Sequence, residues 1–513
     1  MDLKLKKLIK IISSRLFFSA ILILAQLAVI ILIFTRFIDN TIVSQVFIAI
    51  SFIFGLWVIF NKHEPEYAIG WLLIIMIFPV YGALLYIIFG KKKLTYFSRK
   101  RLKKFVKSFS KTSVITKDKN KVFQELKEYD SDLARQSQYI SRSAFSSPWK
   151  NTQAKYYPLG DEFLNDFLLE LDKAEKFIFI EFFIISLGEM WSKILDILEK
   201  KKDQGVEIRI LYDDFGCIEG LPPNYAKQLR KHGFQARAFN PVKPHINSRL
   251  NYRDHRKICV IDGNVGFTGG INLADEYINR TIRFGHWKDN AVMIKGMAVW
   301  DLTVLFLSMW NVTTGVDEDL SQFKPTYQAK SDGYVQPFGD NPLDDVAMAE
   351  TAYLQIINLA KNYVWITTPY LVITRSMINA LSIAAQSGVD VRLIVPKIPD
   401  KIYVHAVSKS YYLELIKSGV KIFEYTPGFI HSKMFICDDK VSIIGTVNMD
   451  YRSFYLHFEC GVAFFGSSII KDVKNDMENV IEVSDSIDYK TANSINMFTR
   501  FYRIILRLFA PIL

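Results

Sequence analysis

The sequence predicts an α/β fold class: two duplicated α/β domains that share one active site, preceded by an N-terminal α-helical transmembrane module. Three observations predict it. His255, Lys257, Asp262, Gly269 and Asn272 recur at the same spacing, 176 residues later, as His431, Lys433, Asp438, Gly445 and Asn448. The repeat extends beyond these points: Asp172-Lys-Ala-Glu-Lys-Phe-Ile-Phe-Ile180 matches Asn358-Leu-Ala-Lys-Asn-Tyr-Val-Trp-Ile366, and Gln204–Leu211 matches Ser387–Ile394. Units of this length are paired domains rather than a solenoid, whose periods are shorter. Third, apolar runs crowd the first 90 residues.

Those runs are 16–34, 43–60 and 67–89. The first and third have the length of a membrane-spanning helix and the second is slightly short. No small-residue cleavage site follows the first run, so it reads as a retained anchor. Residues 1–97 therefore form the expected membrane module. Residues 1–111 hold 17 Lys+Arg against 4 Asp+Glu, leaving 47 and 48 for the remainder, so the overall charge of +12 resides entirely around the apolar runs. There it acts on topology and on anionic headgroups. A neutral body is poorly suited to a polyanionic duplex, and no nucleic-acid partner is expected. Basic flanks before run one and after run three place both on the cytoplasmic side. That requires an even number of crossings from three runs, so either one run fails to span or one basic flank lies outside; 43–60 is the shortest run, and Pro79 allows 67–89 to kink or re-enter instead.

Residues 98–150 are polar and charged, a connector with helical patches. From there strand-like and helix-like segments alternate, the pattern of an α/β domain: Lys176–Glu181 and Val206–Leu211 as strands, Met190–Lys202 as a helix. The first domain covers 151–325 and the second 326–490. In 491–513, Arg500, Arg503 and Arg507 share one helical face, with Phe501, Ile505, Leu508 and Phe509 covering much of the remainder. This amphipathic helix either lies in a membrane interface or packs on the body. Cys217, Cys259, Cys437 and Cys460 have neither CxxC nor metal-ligand spacing and read as small buried residues.

The chemistry follows from the spacing. Residues i and i+2 of a strand share a face, so His255 projects with Lys257 and His431 with Lys433. Asp262 and Asp438, though members of the same candidate catalytic set, have the opposite parity and sit at strand ends as turn or structural carboxylates. Gly269-Gly270 and Gly445-Thr446 permit close backbone approach to an anion, and Asn272 and Asn448 add amide donors. Gly270, Thr446, Asn272 and Asn448 are thus expected to bind a phosphate. Two imidazoles suit phosphodiester displacement through a covalent intermediate: one attacks phosphorus, the other protonates the leaving oxygen. No metal or cofactor is required. Asp289 and Glu459 follow the motifs at a distance suited to orienting a histidine.

With these residues in hand, the chain resembles the phospholipase D superfamily, whose signature is a pair of HxKxxxxD motifs followed by Gly-Gly/Ser/Thr-x-Asn. More narrowly it is similar to bacterial cardiolipin synthases. The supporting segments are Gly70-Trp-Leu-Leu through Pro79 to Phe89-Gly90, Tyr156–Gly160, Leu211–Gly216, Leu250–Lys257 and Tyr425–Lys433. The resemblance implies phospholipase D-like domains. It also implies transphosphatidylation between two phosphatidylglycerol molecules, giving cardiolipin and glycerol through a phosphatidyl-histidine. Either His255 or His431 then carries the phosphatidyl group, with His255 favoured by analogy as the nucleophile and His431 as the general acid/base. The implied setting is a multi-pass protein of the bacterial cell membrane with cytoplasmic catalytic domains and membrane phospholipids as partners; oligomeric state is not implied. A hydrolytic phospholipase D and a phosphatidyltransferase using another alcohol share the same motifs. A non-catalytic scaffold does not fit two intact His–Lys–Asn sets.

Overall fold

The computed structural model describes residues 41–61, 65–86, 116–144, 146–242, 251–316, 318–342 and 346–511, with isolated positions between 17 and 32 and at 100. The run 16–34 and both basic flanks lie almost wholly outside them. Three helices open the described chain: α1 (Thr41–Asn61), α2 (Pro65–Ile77) and α3 (Pro79–Leu85). Proline at the first position of α3 removes an amide, and Phe78 takes a non-helical backbone (φ −128°), which ends α2. The chain then turns back on itself. A Cβ on Gly82 would lie 2.5 Å from the Ile74 carbonyl, and the rings of Trp71 and Tyr86 meet at 5.2 Å. Fifteen residues of straight helix would separate those two by about 22 Å. Residues 65–86 therefore form a tight helical hairpin that turns at Pro79. Among the described residues no helix is long and apolar enough to cross a membrane.

The described part of the connector, 116–144, is almost wholly helical. Helices α4 (Thr116–Tyr129) and α5 (Ser131–Ala144) are joined at Asp130, whose carboxylate accepts the Asp132 and Leu133 amides. Leu126, Leu133 and Ile140 are buried in the core of the second domain, and Ser137 donates to Gln336 at 2.7 Å. The signal was the apolar face beneath the charges, at helical spacing.

The first domain carries β1 (Thr152–Tyr157), α6 (Gly160–Asp172), β2 (Phe177–Phe182), α7 (Glu189–Asp203), β3 (Glu207–Asp213), α8 (Tyr225–Lys231), β4 (Gln235–Phe239), β5 (Arg253–Asp254), β6 (Lys257–Ile261), β7 (Val265–Gly269), β8 (His286–Lys288), β9 (Ala291–Gly296) and α9 (Val299–Thr314). The second carries β10 (Tyr334–Asp340), α10 (Met348–Leu359), β11 (Tyr363–Thr367), β12 (Leu371–Val372), α11 (Arg375–Gln386), β13 (Asp390–Pro396), α12 (Ile402–Lys417), β14 (Lys421–Tyr425), β15 (Gly428–Ile430), β16 (Met434–Cys437), β17 (Val441–Gly445), β18 (Met449–Asp450), α13 (Tyr451–Tyr455), β19 (His457–Phe465), α14 (Ile469–Glu482) and β20 (Ser484–Ile487). Helices α15 (Tyr489–Asn493) and α16 (Met497–Leu508) follow.

The two sheets have one topology. Their orders are β1-β9-β7-β6-β2-β3-β4 and β10-β19-β17-β16-β11-β13-β14, the second with β20 added at its edge. In each, two parallel pairs (β2–β3–β4 and β11–β13–β14) continue into an antiparallel meander that carries the motif strand. One core spans both sheets, combining Phe179, Val260 and Ile294 with Trp365, Ile436 and Val462. Helix α9 lies within it and is buried on almost every face, as expected of a helix apolar all round.

Asp262 and Asp438 each occupy a left-handed position (φ 52°) in the hairpin after the motif strand, a conformation Asp tolerates. The Asp262 carboxylate accepts the amides of Glu175, Lys176 and Phe177, each at 2.8 Å. Asp438 accepts those of Lys361, Asn362 and Tyr363 at 2.7–2.9 Å. Each thus caps the start of the neighbouring strand at the end of its motif strand remote from the histidine. Asp262→Ala or Asp438→Ala is expected to cost about 2–4 kcal/mol of stability while the folded fraction retains its turnover. Thermal denaturation alongside kcat per folded molecule checks this.

Candidate active site

The histidines are placed by pairing across the domain boundary. β5 runs parallel to the start of β19, setting Asp254 opposite Phe458, and β15 runs parallel to β8, setting Ile430 opposite Lys288. The next amide in each case completes the ladder: His255 N–H donates to the Phe458 carbonyl at 2.9 Å and His431 N–H to that of Lys288 at 2.7 Å. Each imidazole thereby lands beside the residue that follows in the opposite strand. His255 Nδ1 lies 2.9 Å from Glu459 Oε2, and His431 Nδ1 lies 2.7 Å from Asp289 Oδ2. The exchange is reciprocal, because each domain supplies the carboxylate for the other's histidine. A carboxylate only accepts, so Nδ1 carries the proton and Nε2 is left with its lone pair.

His255, His431, Asn272 and Asn448 line one cavity of about 580 Å³, together with Phe183, Arg253, Tyr277, Trp287, Tyr370, Lys401, Asp450, Arg452 and His457. Lys257 and Lys433 lie behind this lining, fully buried, each donating to the carbonyl of its own histidine. Asn272 accepts from the Ile184 amide and donates to the Tyr277 hydroxyl at 2.7 Å. Asn448 keeps its buried Oδ1 without a partner among the described residues.

Gly270 and Thr446 require a correction. The Gly270 amide donates to the Asn290 carbonyl and the Thr446 amide to that of Cys460, both at 2.8 Å, so neither N–H is offered to a phosphate. They serve the carboxylates instead. A Cβ on Gly270 would lie 2.0 Å from Asp289 Oδ1, and the Thr446 hydroxyl donates to Glu459. Glycine makes room for one orienting carboxylate, and threonine holds the other.

His457, two residues before Glu459 and so on the same face of β19, was missed; that parity was the available signal. Its ring centroid lies 5.5 Å from that of His255. His405 stays outside the lining, which takes its neighbours Val404 and Val407. The four cysteines are buried free thiols. His255, His457 and Glu459 bring their ligand atoms within 4.8 Å of one another and form the group best placed to hold a metal among the described residues.

Burial dominates the electrostatics. It pushes His255 down to about 3 and His431 to about 4, outweighing the carboxylate beside each. It lowers Lys257 to about 8 and Lys433 to about 7. Burial works to raise Asp289 and Glu459 too, but the adjoining imidazoles hold both below the usual carboxylate range. With both lysines charged and both imidazoles neutral, two cations balance two anions. A phosphodiester adds one negative charge, and one proton taken up by an imidazole cancels it. Accordingly kcat/KM, which reports the free enzyme, is expected to fall as pH rises through about 7–8, where the lysines lose their charge. No acid limb is expected near 6.5, where an ordinary histidine titrates. A rate that falls as pH drops through 6.5 contradicts buried neutral imidazoles.

A duplicated α/β fold with two imidazoles on one cavity, backed by buried ammoniums and orienting carboxylates, is the arrangement of the phospholipase D superfamily, and the relatives that follow make the chain a phosphatidyltransferase within it. Residues 167–310 and 353–481 match the family described as cardiolipin synthase, phospholipase D-like domain, and residues 50–91 match the phospholipase D-nuclease N-terminal family. A cardiolipin synthase of Alkalihalophilus pseudofirmus is 34% identical over 476 residues, covering 92% of this chain and 93% of that one. Another, from Geobacillus kaustophilus, is 35% identical over 469 residues, covering 88% and 90%. The crystal structure of phosphatidylserine synthase from Haemophilus influenzae shares the fold, with a TM-score of 0.57 at 14% identity over 74% of this chain and 97% of that one. The chain belongs to the cardiolipin synthase family.

Proposed function

We propose that the chain joins two phosphatidylglycerol molecules into cardiolipin and glycerol at the membrane. The observation that carries this is the reciprocal pair of imidazoles, each fixed by the other domain's carboxylate, on one cavity. Neutral His255 attacks phosphorus through Nε2, forming the P–N bond as the P–O bond to the headgroup glycerol breaks. His431, holding the proton taken up with the substrate, gives it to the departing oxygen. The headgroup hydroxyl of a second phosphatidylglycerol then loses its proton to His431 and attacks phosphorus, breaking the P–N bond. Lys257 and Lys433 offset charge on the nonbridging oxygens from behind the lining, with Asn272 and Asn448 as donors at the surface. The N-terminal hairpin and α1, with its exposed Ile42, Phe52 and Phe60, anchor the body to the bilayer.

The test is incubation of the full chain in membranes with labelled phosphatidylglycerol. Cardiolipin with an equal yield of glycerol is expected. Phosphatidic acid as the sole lipid product indicates water as acceptor and overturns the synthase assignment. EDTA is expected to leave turnover intact, because the imidazoles and lysines supply the acid, the nucleophile and the charge. Loss restored by one divalent ion contradicts this mechanism.

A further inference from the structure

Helix α16 is amphipathic with the unusual face outward. Asn496 caps it, accepting the Thr499 amide at 2.7 Å, so it is a built helix. Its cationic side faces the body: Arg507 donates to Glu414 at 3.0 Å and lies over the Tyr411 ring at 4.2 Å, both residues of α12. The opposite face, Met497, Phe498, Phe501, Ile504, Ile505 and Leu508, points to solvent, with Met497 at 84%, Phe498 at 81% and Phe501 at 62% exposure. Leaving these large apolar side chains in water opposes stability.

Three neighbours indicate what covers this face. Helix α16 packs along α12 and touches α2, the first arm of the N-terminal hairpin. Glu66 at the base of α2 accepts the Arg375 amide, and Arg375 pairs with the same Glu414 that holds Arg507. Ala510, just past the end of α16, lines the catalytic cavity beside Lys401, Tyr403 and Val404, and Ile402 next to them is 78% exposed. Hairpin base, apolar face and cavity thus adjoin on one side of the molecule.

We propose that α16 is an interfacial helix whose apolar face lies in the headgroup–acyl boundary of the bilayer, holding the cavity against the surface that supplies the substrate. The proposal rests on the lipid-substrate reading above and adds a membrane contact separate from the N-terminal module. An exposed apolar face of this kind matches the acyl boundary of a bilayer, and Arg500, the exposed arginine of the helix, is left to meet anionic headgroups.

The full chain is tested in phosphatidylglycerol vesicles. All four native cysteines are buried, so an environment-sensitive label is directed to Phe501→Cys, with Leu169→Cys on the exposed side of α6 as control. Quenching by phosphatidylglycerol brominated on its acyl chains is expected to be several-fold stronger at 501 than at 169. Equal quenching at the two positions overturns the proposal. So does quenching at 501 that depends on a second labelled copy rather than on brominated lipid, since the face then binds protein. Replacing Phe498, Phe501 and Leu508 with serine is expected to raise the apparent KM for long-chain phosphatidylglycerol at least about tenfold, with kcat on a monomeric short-chain analogue retained. Lipid quenching is read without turnover, so a chain that contacts the bilayer but forms no cardiolipin fails the functional reading alone.

Discussion

Replacing His255 or His431 with alanine is expected to lower cardiolipin formation by a factor on the order of 10⁴–10⁶, a range typical for removing one member of a unit that acts together. The two losses differ in kind. Without the nucleophile no P–N bond forms, and no change of substrate restores it. Without the acid the attack still occurs, but the glycerol oxygen departs as an alkoxide. A phosphatidyl ester with a leaving group that needs no proton, such as nitrophenol, should therefore rescue the first step in His431→Ala. It should also accumulate the phosphatidyl group on His255, because the missing base no longer activates the acceptor. Mass spectrometry of an acid-labile phosphatidyl adduct on the peptide containing His255 reads this directly. A phosphatidyl group retained on His431 in His255→Ala, with none on His255 in the converse variant, reverses the assignment. Full activity in either variant ends the shared-site model.

The second large effect is expected at the orienting carboxylates. Asp289→Asn and Glu459→Gln should each lower kcat by about 10³–10⁴ with little change in fold, as a triad does when its acid becomes an amide. An amide N–H facing Nδ1 moves the imidazole proton to Nε2, and the lone pair that attacks or accepts is lost. Gly270→Ala should reproduce Asp289→Asn, since its Cβ would fall 2.0 Å from the Asp289 carboxylate. It does so through crowding rather than charge. Asp289→Glu and Glu459→Asp keep the charge at an altered reach and should recover part of the loss. If Gly270→Ala retains full turnover, the glycine is not there to seat the carboxylate.

Much of this was legible in the sequence because it is local. Spacing groups His with Lys and sets Asp apart, although His255, His431 and Lys433 lie just before the motif strands rather than on them, and a repeat at one spacing requires two domains. The sheets bear the repeat out strand for strand, and family membership agrees with the resemblance. What stayed illegible depends on contacts across long separations. The partnering of His255 with Glu459 and of His431 with Asp289 arises from two short ladders between domains, which no spacing encodes. Gly270 and Thr446 were misread for the same reason: their place beside the carboxylates is set by neighbouring strands, and phosphate binding was inferred from backbone freedom alone. For α16 the arginine and apolar faces were plain, but which of them met the body required α12 and its Glu414.

The crossed carboxylates also bear on when the enzyme becomes dangerous. A group that breaks phosphodiesters in lipid is a hazard if it works half-made, because water can then take the place of the alcohol acceptor. His255 and Glu459 are 204 residues apart. During synthesis the first domain therefore emerges with its imidazole unoriented, facing a cavity that has one wall. It stays inert until β19 has been made and docked. Competence arrives in a single event, for both halves at once, and a chain stalled or clipped before that point carries neither half of the reaction.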